Sequence, residues 1–177
     1  MKASYPVLFL FLLTFSGLHT QAFGQEGHVY QAGVASVDIT PNTAIRLNGF
    51  GGRTEESEGV RQPLFAKALT IGSTDQDTIV ILTVDTLGIP DDLKLRVIDK
   101  LQHRLELTED RVVICASHTH SGPMIVNCAN TLFGRSIPDD QWQRIVSYTN
   151  QLEDKLVSVT EEAWRKRRPS RLSWGLG

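Results

Sequence analysis

Residues 112–123, which read VVICASHTHSGP, decide the fold and contain the residues with the clearest chemistry. The first half is apolar and rich in β-branched residues, whereas the second half is polar, small and rich in turn formers. This change predicts a buried strand that runs directly into a loop. His118 and His120 lie at the change. If the extended backbone continues through them, their side chains point to the same face and can ligate a metal ion. The alternative is an ordinary loop in which both histidines bond to the backbone.

The bulk composition is that of an ordinary globular protein. The chain has 177 residues, a net charge of -2, 41% hydrophobic residues and 21% charged residues. Because there is no basic excess, a nucleic-acid partner is not expected. The length allows one domain, and the fold class we predict is α/β, with helices flanking a mixed β-sheet.

The N-terminus has the pattern of a secretory signal peptide over residues 1–24. Lys2 supplies the positive charge, residues 7–13 (VLFLFLL) are apolar, and Ala22-Phe23-Gly24 offers small residues for cleavage after Gly24 or Ala22. An uncleaved membrane anchor is the alternative, but the apolar run is short for ~30 Å of hydrocarbon. We therefore expect residues 25–177 to be secreted, periplasmic or on the extracellular surface.

Apolar runs predict the strands of the sheet. The predicted strands are residues 33–40, 64–71, 78–84, 112–116 and, near the end, 171–174. Residues 78–84 (TIVILTV) are almost continuously apolar, which predicts a strand covered on both faces. Asp85 follows that strand, where α/β folds place site residues. The equal alternative is that Asp85 accepts backbone hydrogen bonds in a turn.

A glycine-rich loop, GFGG at residues 49–52 followed by Arg53, separates the first two strands. A phosphate-binding loop is followed by a helix, but the TEESEG that follows here has no apolar face, which argues against a nucleotide site. The glycines instead predict a loop whose backbone approaches a ligand or another segment closely.

Two helices are predicted, over about residues 91–107 and 139–168, from apolar residues at helical spacing. The basic cluster at residues 165–168 should lie in solvent, where it complements the helix dipole. Contact of this cluster with anionic lipid is the less favoured alternative.

The two cysteines allow two interpretations, a disulfide or two free thiols. An oxidising compartment would permit a disulfide between Cys115 and Cys128. Alternatively, Cys115 is buried on its strand and Cys128 is a free loop thiol. Burial would raise the pKa of Cys115 and make it a poor nucleophile.

The order of the segments GVASVDITP, NGFGGR, LFAKALTI, VILTVDTLGI, VVICASHTHSGP and RPSRLSWG resembles the N-terminal catalytic region of the neutral/alkaline, non-lysosomal ceramidases. The resemblance implies a secreted or membrane-facing zinc amidase that hydrolyses ceramide (N-acylsphingosine) to sphingosine and a fatty acid. By resemblance, His118 matches a zinc ligand and His120 matches a histidine beside the metal and the substrate. Asp85 is carried over as a group that orients a ligand. Zinc suits amide hydrolysis because it lowers the pKa of a bound water to about 7.

The sequence departs from the family in two respects. Met124-Ile125 stand where the family usually has further glycines. The family's other zinc ligands, a histidine, a glutamate and a tyrosine, lie beyond the matched segment. We therefore expect an incomplete domain, the N-terminal part of a longer protein, that binds zinc weakly and hydrolyses little. Two alternatives remain: a hydrolase of another lipid amide or ester, and a secreted binding domain without catalysis.

Overall fold

The computed structural model describes residues 29–129, 136–173 and 175. The predicted signal peptide, residues 1–24, lies outside them. Along the described chain the elements are β1 (Tyr30–Asp38), β2 (Phe65–Gly72), β3 (Ile79–Val84), α1 (Asp91–Leu105), a 3-10 turn (Glu109–Arg111), β4 (Val112–Ala116), α2 (Asp139–Arg165) and β5 (Arg168–Ser170).

The five strands form one mixed sheet in the order β4-β3-β2-β1-β5. All neighbouring pairs are antiparallel except β3 and β4, which are parallel and in register from Val80↔Val112 to Val84↔Ala116. A parallel pair needs a long crossover, and α1 supplies it. The predicted α/β class with a mixed sheet is confirmed. The carboxyl ends of β3 and β4 consequently meet at one edge of the sheet.

Both helices lie on the same side of the sheet. α2 packs mainly on β1 and β2, and α1 packs against α2. Their buried stripes follow the predicted helical spacing, with Leu93, Val97, Ile98 and Leu101 from α1, and Ile145, Leu152, Leu156, Val159 and Ala163 from α2. β1 has Gly33 where it lies against α2. A side chain at this position would not fit, because its Cβ would overlap the carbonyl oxygen of Ala163. Within the described residues, neither helix is long and apolar enough to cross a membrane.

The other face of the sheet is open, so the prediction that residues 78–84 are covered on both faces is wrong for the part of the chain described. Val34 is 65% exposed, Ile79 42% and Val113 53%. The continuous apolar run of β3 therefore reflects an apolar stripe across the open face as well as the core.

At the C-terminal end one prediction is wrong and another holds only in part. The last strand is Arg168–Ser170, not residues 171–174, and it pairs with Tyr30–Ala32 of β1. The basic cluster is not entirely in solvent. Arg167 lies over the ring of Trp164 and pairs with Asp75 at 2.8 Å, so its guanidinium joins α2 to the β2–β3 turn.

Candidate functional site

The site begins where β3 and β4 end side by side. The amide of Ser117 donates to the carbonyl of Val84 at 3.0 Å, which continues the parallel pairing one residue past β4. The backbone then leaves the extended region, since His118 has a φ of 58° in the left-handed region. The strand alternation from which we predicted that the histidines share a face therefore does not apply. The turn nevertheless brings the rings of His118 and His120 together, with centroids 5.1 Å apart at 72°.

The ring of His118 is oriented by a backbone carbonyl. Its Nδ1 lies 2.8 Å from the carbonyl oxygen of Leu87, in the loop that follows β3. A carbonyl oxygen can only accept, so Nδ1 carries a proton, and in the neutral imidazole the lone pair is then on Nε2. This is the arrangement found for metal-binding histidines, in which the second ring nitrogen donates to a fixed acceptor. The contact with Leu87 thus favours the tautomer of the neutral ring in which Nε2 is the nitrogen that can bind a metal ion.

The glycine-rich loop packs onto His120. Gly49 has a φ of 103°, and a Cβ there would lie 2.6 Å from Cγ of His120. Phe50 meets the imidazole edge-on at 5.0 Å between centroids. Arg53 donates from a guanidinium nitrogen to the carbonyl of His120 at 2.9 Å. The prediction that these glycines bring the backbone close to another segment is confirmed.

Backbone pairing holds the two loops together. The amide of Asn48 donates to the carbonyl of Gly122 at 3.0 Å, and the amide of Met124 donates to the carbonyl of Arg46 at 2.8 Å. The side chain of Asn48 is buried and donates to the carbonyl of Cys128 at 3.0 Å. Sequence reasoning missed Asn48. The only feature of the sequence that pointed to Asn48 was its position immediately before the glycines.

Asp85 lies at the end of β3, as predicted, and the predicted alternative that it accepts a backbone hydrogen bond is confirmed. Its carboxylate accepts the amide of Phe65 at 3.0 Å through Oδ2, and its own amide donates to the carbonyl of Phe65. Asp85 is also among the residues that line a cleft, together with Thr119 and Ser121. The described contact that orients His118 comes from Leu87 and not from Asp85.

The cleft lies between residues 40–64 and residues 119–123 and has a volume of about 740 Å³. Thr119 and Ser121, which flank His120 in sequence, line the cleft, whereas His118 and His120 do not. The cleft and the imidazole pair are therefore neighbouring but distinct surfaces of the same loop.

The cysteines are both free thiols, and their environments are the reverse of the predicted ones. Cys115 is exposed on β4, on the open face of the sheet, and Cys128 is buried. Burial raises the pKa of the Cys128 thiol, although its contact with the carbonyl of Gly88 and the nearby Asn48 act in the opposite direction. Burial therefore does not make Cys115 inert, because the face of β4 on which it lies is not covered by any described residue.

The described residues do not form a metal site by themselves. Within residues 29–129, 136–173 and 175, no group of three or more histidine, cysteine, aspartate and glutamate side chains is placed to hold a metal ion. Zinc usually takes three or four protein ligands. The tautomer of His118 fits such a role, and further ligands would have to come from outside this part of the chain.

Curated relatives of the chain are neutral ceramidases. The chain is 29% identical over 117 residues to Neutral ceramidase 1 of Arabidopsis thaliana. The matched segment covers 64% of this chain and 14% of the relative. It is 29% identical over 120 residues to a neutral ceramidase of Drosophila pseudoobscura pseudoobscura, which covers 66% of this chain and 16% of the relative. The chain thus spans only a small part of the length of these relatives.

Solved structures of ceramidases have a similar fold. The crystal structure of neutral ceramidase from Pseudomonas aeruginosa superposes with a TM-score of 0.64 at 22% identity, covering 80% of this chain and 22% of that chain. A structure described as a ceramidase complexed with C2 gives a TM-score of 0.63. The family profile described as neutral/alkaline non-lysosomal ceramidase, N-terminal, matches residues 30–174. The chain therefore belongs to the neutral/alkaline non-lysosomal ceramidase family.

Proposed function

We propose that this chain contributes part of the active site of a zinc-dependent hydrolase that cleaves the N-acyl amide bond of ceramide, giving sphingosine and a fatty acid. Family membership supports the reaction class. The observation on which the residue assignment depends is the 2.8 Å contact between His118 Nδ1 and the carbonyl of Leu87. This contact selects Nε2 as the nitrogen that binds a metal ion when the imidazole is neutral.

Each residue of the pair has a separate role in the proposal. His118 binds the ion, and zinc, when bound, supplies a nucleophile at neutral pH and polarises the amide carbonyl. His120 donates a hydrogen bond to the substrate or to the oxyanion that develops from the carbonyl. Gly49 and Arg53 hold His120 in place through packing and the bond to its carbonyl.

The site requires ligands beyond the described residues, because one or two imidazoles do not complete a zinc site. We therefore propose that the 177-residue chain alone binds zinc weakly and has little ceramide-hydrolysing activity. The alternative is hydrolysis of another lipid amide or ester, and assays of ceramide beside other N-acyl lipids and esters distinguish the two.

Zinc binding by the chain tests the assignment of His118. In competition with a chromophoric chelator, we expect His118→Ala to reduce zinc affinity by about tenfold or more, because a ligand is lost. The matched control is His103→Ala, which removes a histidine whose side chain is 79% exposed on α1. Equal zinc affinity in the wild type and His118→Ala would contradict the proposal.

We also propose that residues 1–24 are removed during export, so that the protein works outside the cytoplasm and, through its lipid substrate, at a membrane surface. Mass spectrometry of the protein recovered from the medium or periplasm tests this. A mature N-terminus near residue 23 or 25 is expected, whereas a retained Met1 would contradict cleavage.

A further inference from the structure

Asn48 connects two backbone segments that are distant in sequence. Only 1% of the residue is exposed, and both polar atoms of its side chain bond to the backbone. Its Oδ1 accepts the amide of Gly49 at 2.9 Å, and its Nδ2 donates to the carbonyl of Cys128 at 3.0 Å. Buried polar groups that lose their partner are costly, because water cannot replace it. The side chain of Asn48 therefore fixes the backbone at both positions.

The first of these segments leads to His120. Gly49 lies directly on the imidazole, since a Cβ at Gly49 would be 2.6 Å from Cγ of the ring. Phe50, the next residue, meets the same ring edge-on, with centroids 5.0 Å apart. Because Oδ1 of Asn48 holds the amide of Gly49, it fixes the start of the loop that packs on this ring. A change at Asn48 should therefore alter the packing of His120.

The second segment leads to His118. The thiol of Cys128 donates to the carbonyl of Gly88 at 3.5 Å. Gly88 follows Leu87, whose carbonyl lies 2.8 Å from Nδ1 of His118. The contact at Gly88 therefore restrains the peptide next to the one that orients the ring. Movement of Cys128 should consequently change the orientation of His118.

The backbone around Cys128 depends on contacts that hold it. Asn127 and Ala129, which flank Cys128, have φ values of 62° and 57°, in the left-handed region. This region is disfavoured for residues other than glycine, and it persists where the surrounding structure determines it. The bond from Asn48 reaches the carbonyl between these two residues. Its loss should therefore release this segment and, with it, the contact between Cys128 and Gly88.

We propose that Asn48 is a positioning residue shared by the two imidazoles, and that it acts on His120 through Gly49 and on His118 through Cys128. The inference rests on the proposed function and deepens it, because it names the residue that orients the proposed zinc ligand and its neighbour together. The orientation of both rings is a property of the zinc-free chain. It can therefore be measured independently of zinc binding and of hydrolysis.

Nuclear magnetic resonance of the imidazoles in the full, zinc-free chain tests the proposal at alkaline pH, where imidazoles are neutral. Long-range proton–nitrogen correlations distinguish the Nδ1–H form of a ring from the Nε2–H form. In the wild type we expect His118 in the Nδ1–H form, because Nδ1 donates to Leu87. In Asn48→Ala the Nε2–H form should increase at His118, and His120 should lose its cross-peaks to Phe50. An effect on neither ring, or on one ring alone, would overturn the proposal.

Thr70→Val is the matched control for a general loss of stability. Thr70 is fully buried, and its hydroxyl lies 3.3 and 3.2 Å from the carbonyl oxygens of Gly33 and Ala163. The substitution should lower the urea midpoint, as Asn48→Ala does, because both remove a buried hydrogen-bonding group. The spectra of the imidazoles should stay as in the wild type. Equal changes of the rings in the two variants would show that Asn48 acts only through stability.

Cys128→Ala keeps the proposal testable if Asn48→Ala folds poorly. It removes the contact of the thiol with Gly88 but retains the backbone carbonyl that accepts from Asn48. We expect the Nε2–H form to increase at His118, while the ring of His120 stays as in the wild type. An unchanged His118, or an equal change of both rings, would rule out the connection through Cys128 and with it the shared role.

Zinc titration relates the orientation of the rings to the proposed function. Asn48→Ala should weaken zinc binding by about tenfold, as is typical when a group that orients a metal ligand is lost, whereas Thr70→Val should not weaken it. If His118→Ala leaves zinc affinity unchanged, the zinc assignment fails, and the spectra still test the role of Asn48. If zinc binding requires His118 but the spectra of Asn48→Ala are those of the wild type, the positioning role alone fails.

Discussion

The two ends of the sheet use their polar groups in different ways. At the end where the β2–β3 turn meets the last turns of the helices, Arg111 donates to the carbonyls of Asp75, Gln76 and Glu106, and Arg167 pairs with Asp75. At the opposite end, the histidine end, Nε2 of His118 and one oxygen of Asp85 are not used in the described hydrogen bonds.

This difference separates groups that stabilise the fold from groups that can act on a ligand. The arginine end satisfies its cations with carbonyls and carboxylates of the same chain. The histidine end is held instead by backbone hydrogen bonds between its loops, by the buried side chain of Asn48 and by the packing of Gly49 on the ring of His120. Substitutions at the arginine end should therefore change stability alone, and substitutions at the histidine end should also change binding.

The largest effect is expected for Gly49→Ala. Gly49 combines a φ of 103° with a Cβ position 2.8 Å from the backbone Cα of His120, which cannot move independently of its loop. We expect a loss of about 3 kcal/mol in unfolding free energy, together with weaker zinc binding. Urea denaturation and zinc titration measure the two effects. Gly52→Ala is the control, because a Cβ there meets nothing within 4 Å. Equal effects of the two substitutions would show that the contact with His120 is unimportant.

A smaller effect is expected for Arg111→Met at the other end. The substitution keeps an apolar stem but removes the hydrogen bonds to Asp75, Gln76 and Glu106. Because these bonds are partly exposed to solvent, the loss should be about 2 kcal/mol in denaturant unfolding. Zinc affinity should not change. Weaker zinc binding in this variant would show that the two ends are coupled.

The smallest effect is expected for Glu153→Gln, which tests charge at the interface of the helices. Arg96 and Lys100 of α1 each contact the Glu153 carboxylate at 2.7 Å. Desolvation opposes ionisation of this carboxylate, but the hydrogen bonds from Lys100 and Arg96 outweigh it and lower the pKa. We expect a cost of roughly 1 kcal/mol at neutral pH.

The pH dependence of Glu153→Gln has a defined sign. A lowered pKa in the folded state means that the advantage of the wild type is complete above the ordinary glutamate value of 4.5. The advantage should disappear as the pH falls through the lowered value. Denaturation of both proteins between neutral and acidic pH checks this, and a constant difference at all pH values would contradict the assignment.

Most of the fold could be predicted from periodicity, because local patterns report which residues face a core. The stripes of α1 and α2 and the strands at residues 64–71 and 112–116 agree with the structure to within a residue or a few. The open face of β3 could not be predicted, because its apolar run is the same whether or not a second layer covers it. The strand at Arg168–Ser170 was missed because it contains Pro169 and pairs only at the sheet edge.

The site could be predicted only in part. The histidines and Asp85 could be selected as candidates because their residue types and positions after strands carry chemical information. The contact that orients His118, from the carbonyl of Leu87, and the bond from Asn48 that holds the two loops together depend on segments distant in sequence and on backbone atoms that every residue has. The proximity of His118 and His120 was predicted correctly for a wrong reason, since a left-handed turn replaces the extended strand.

The positive φ of His118 has a consequence for how this position tolerates change. Glycine or asparagine would adopt this backbone conformation at lower conformational cost, by about 1 kcal/mol. Laboratory evolution that rewards only resistance to heat should therefore replace this histidine. Evolution that rewards turnover should retain it, and the two outcomes together would reveal what the imidazole is worth to the protein.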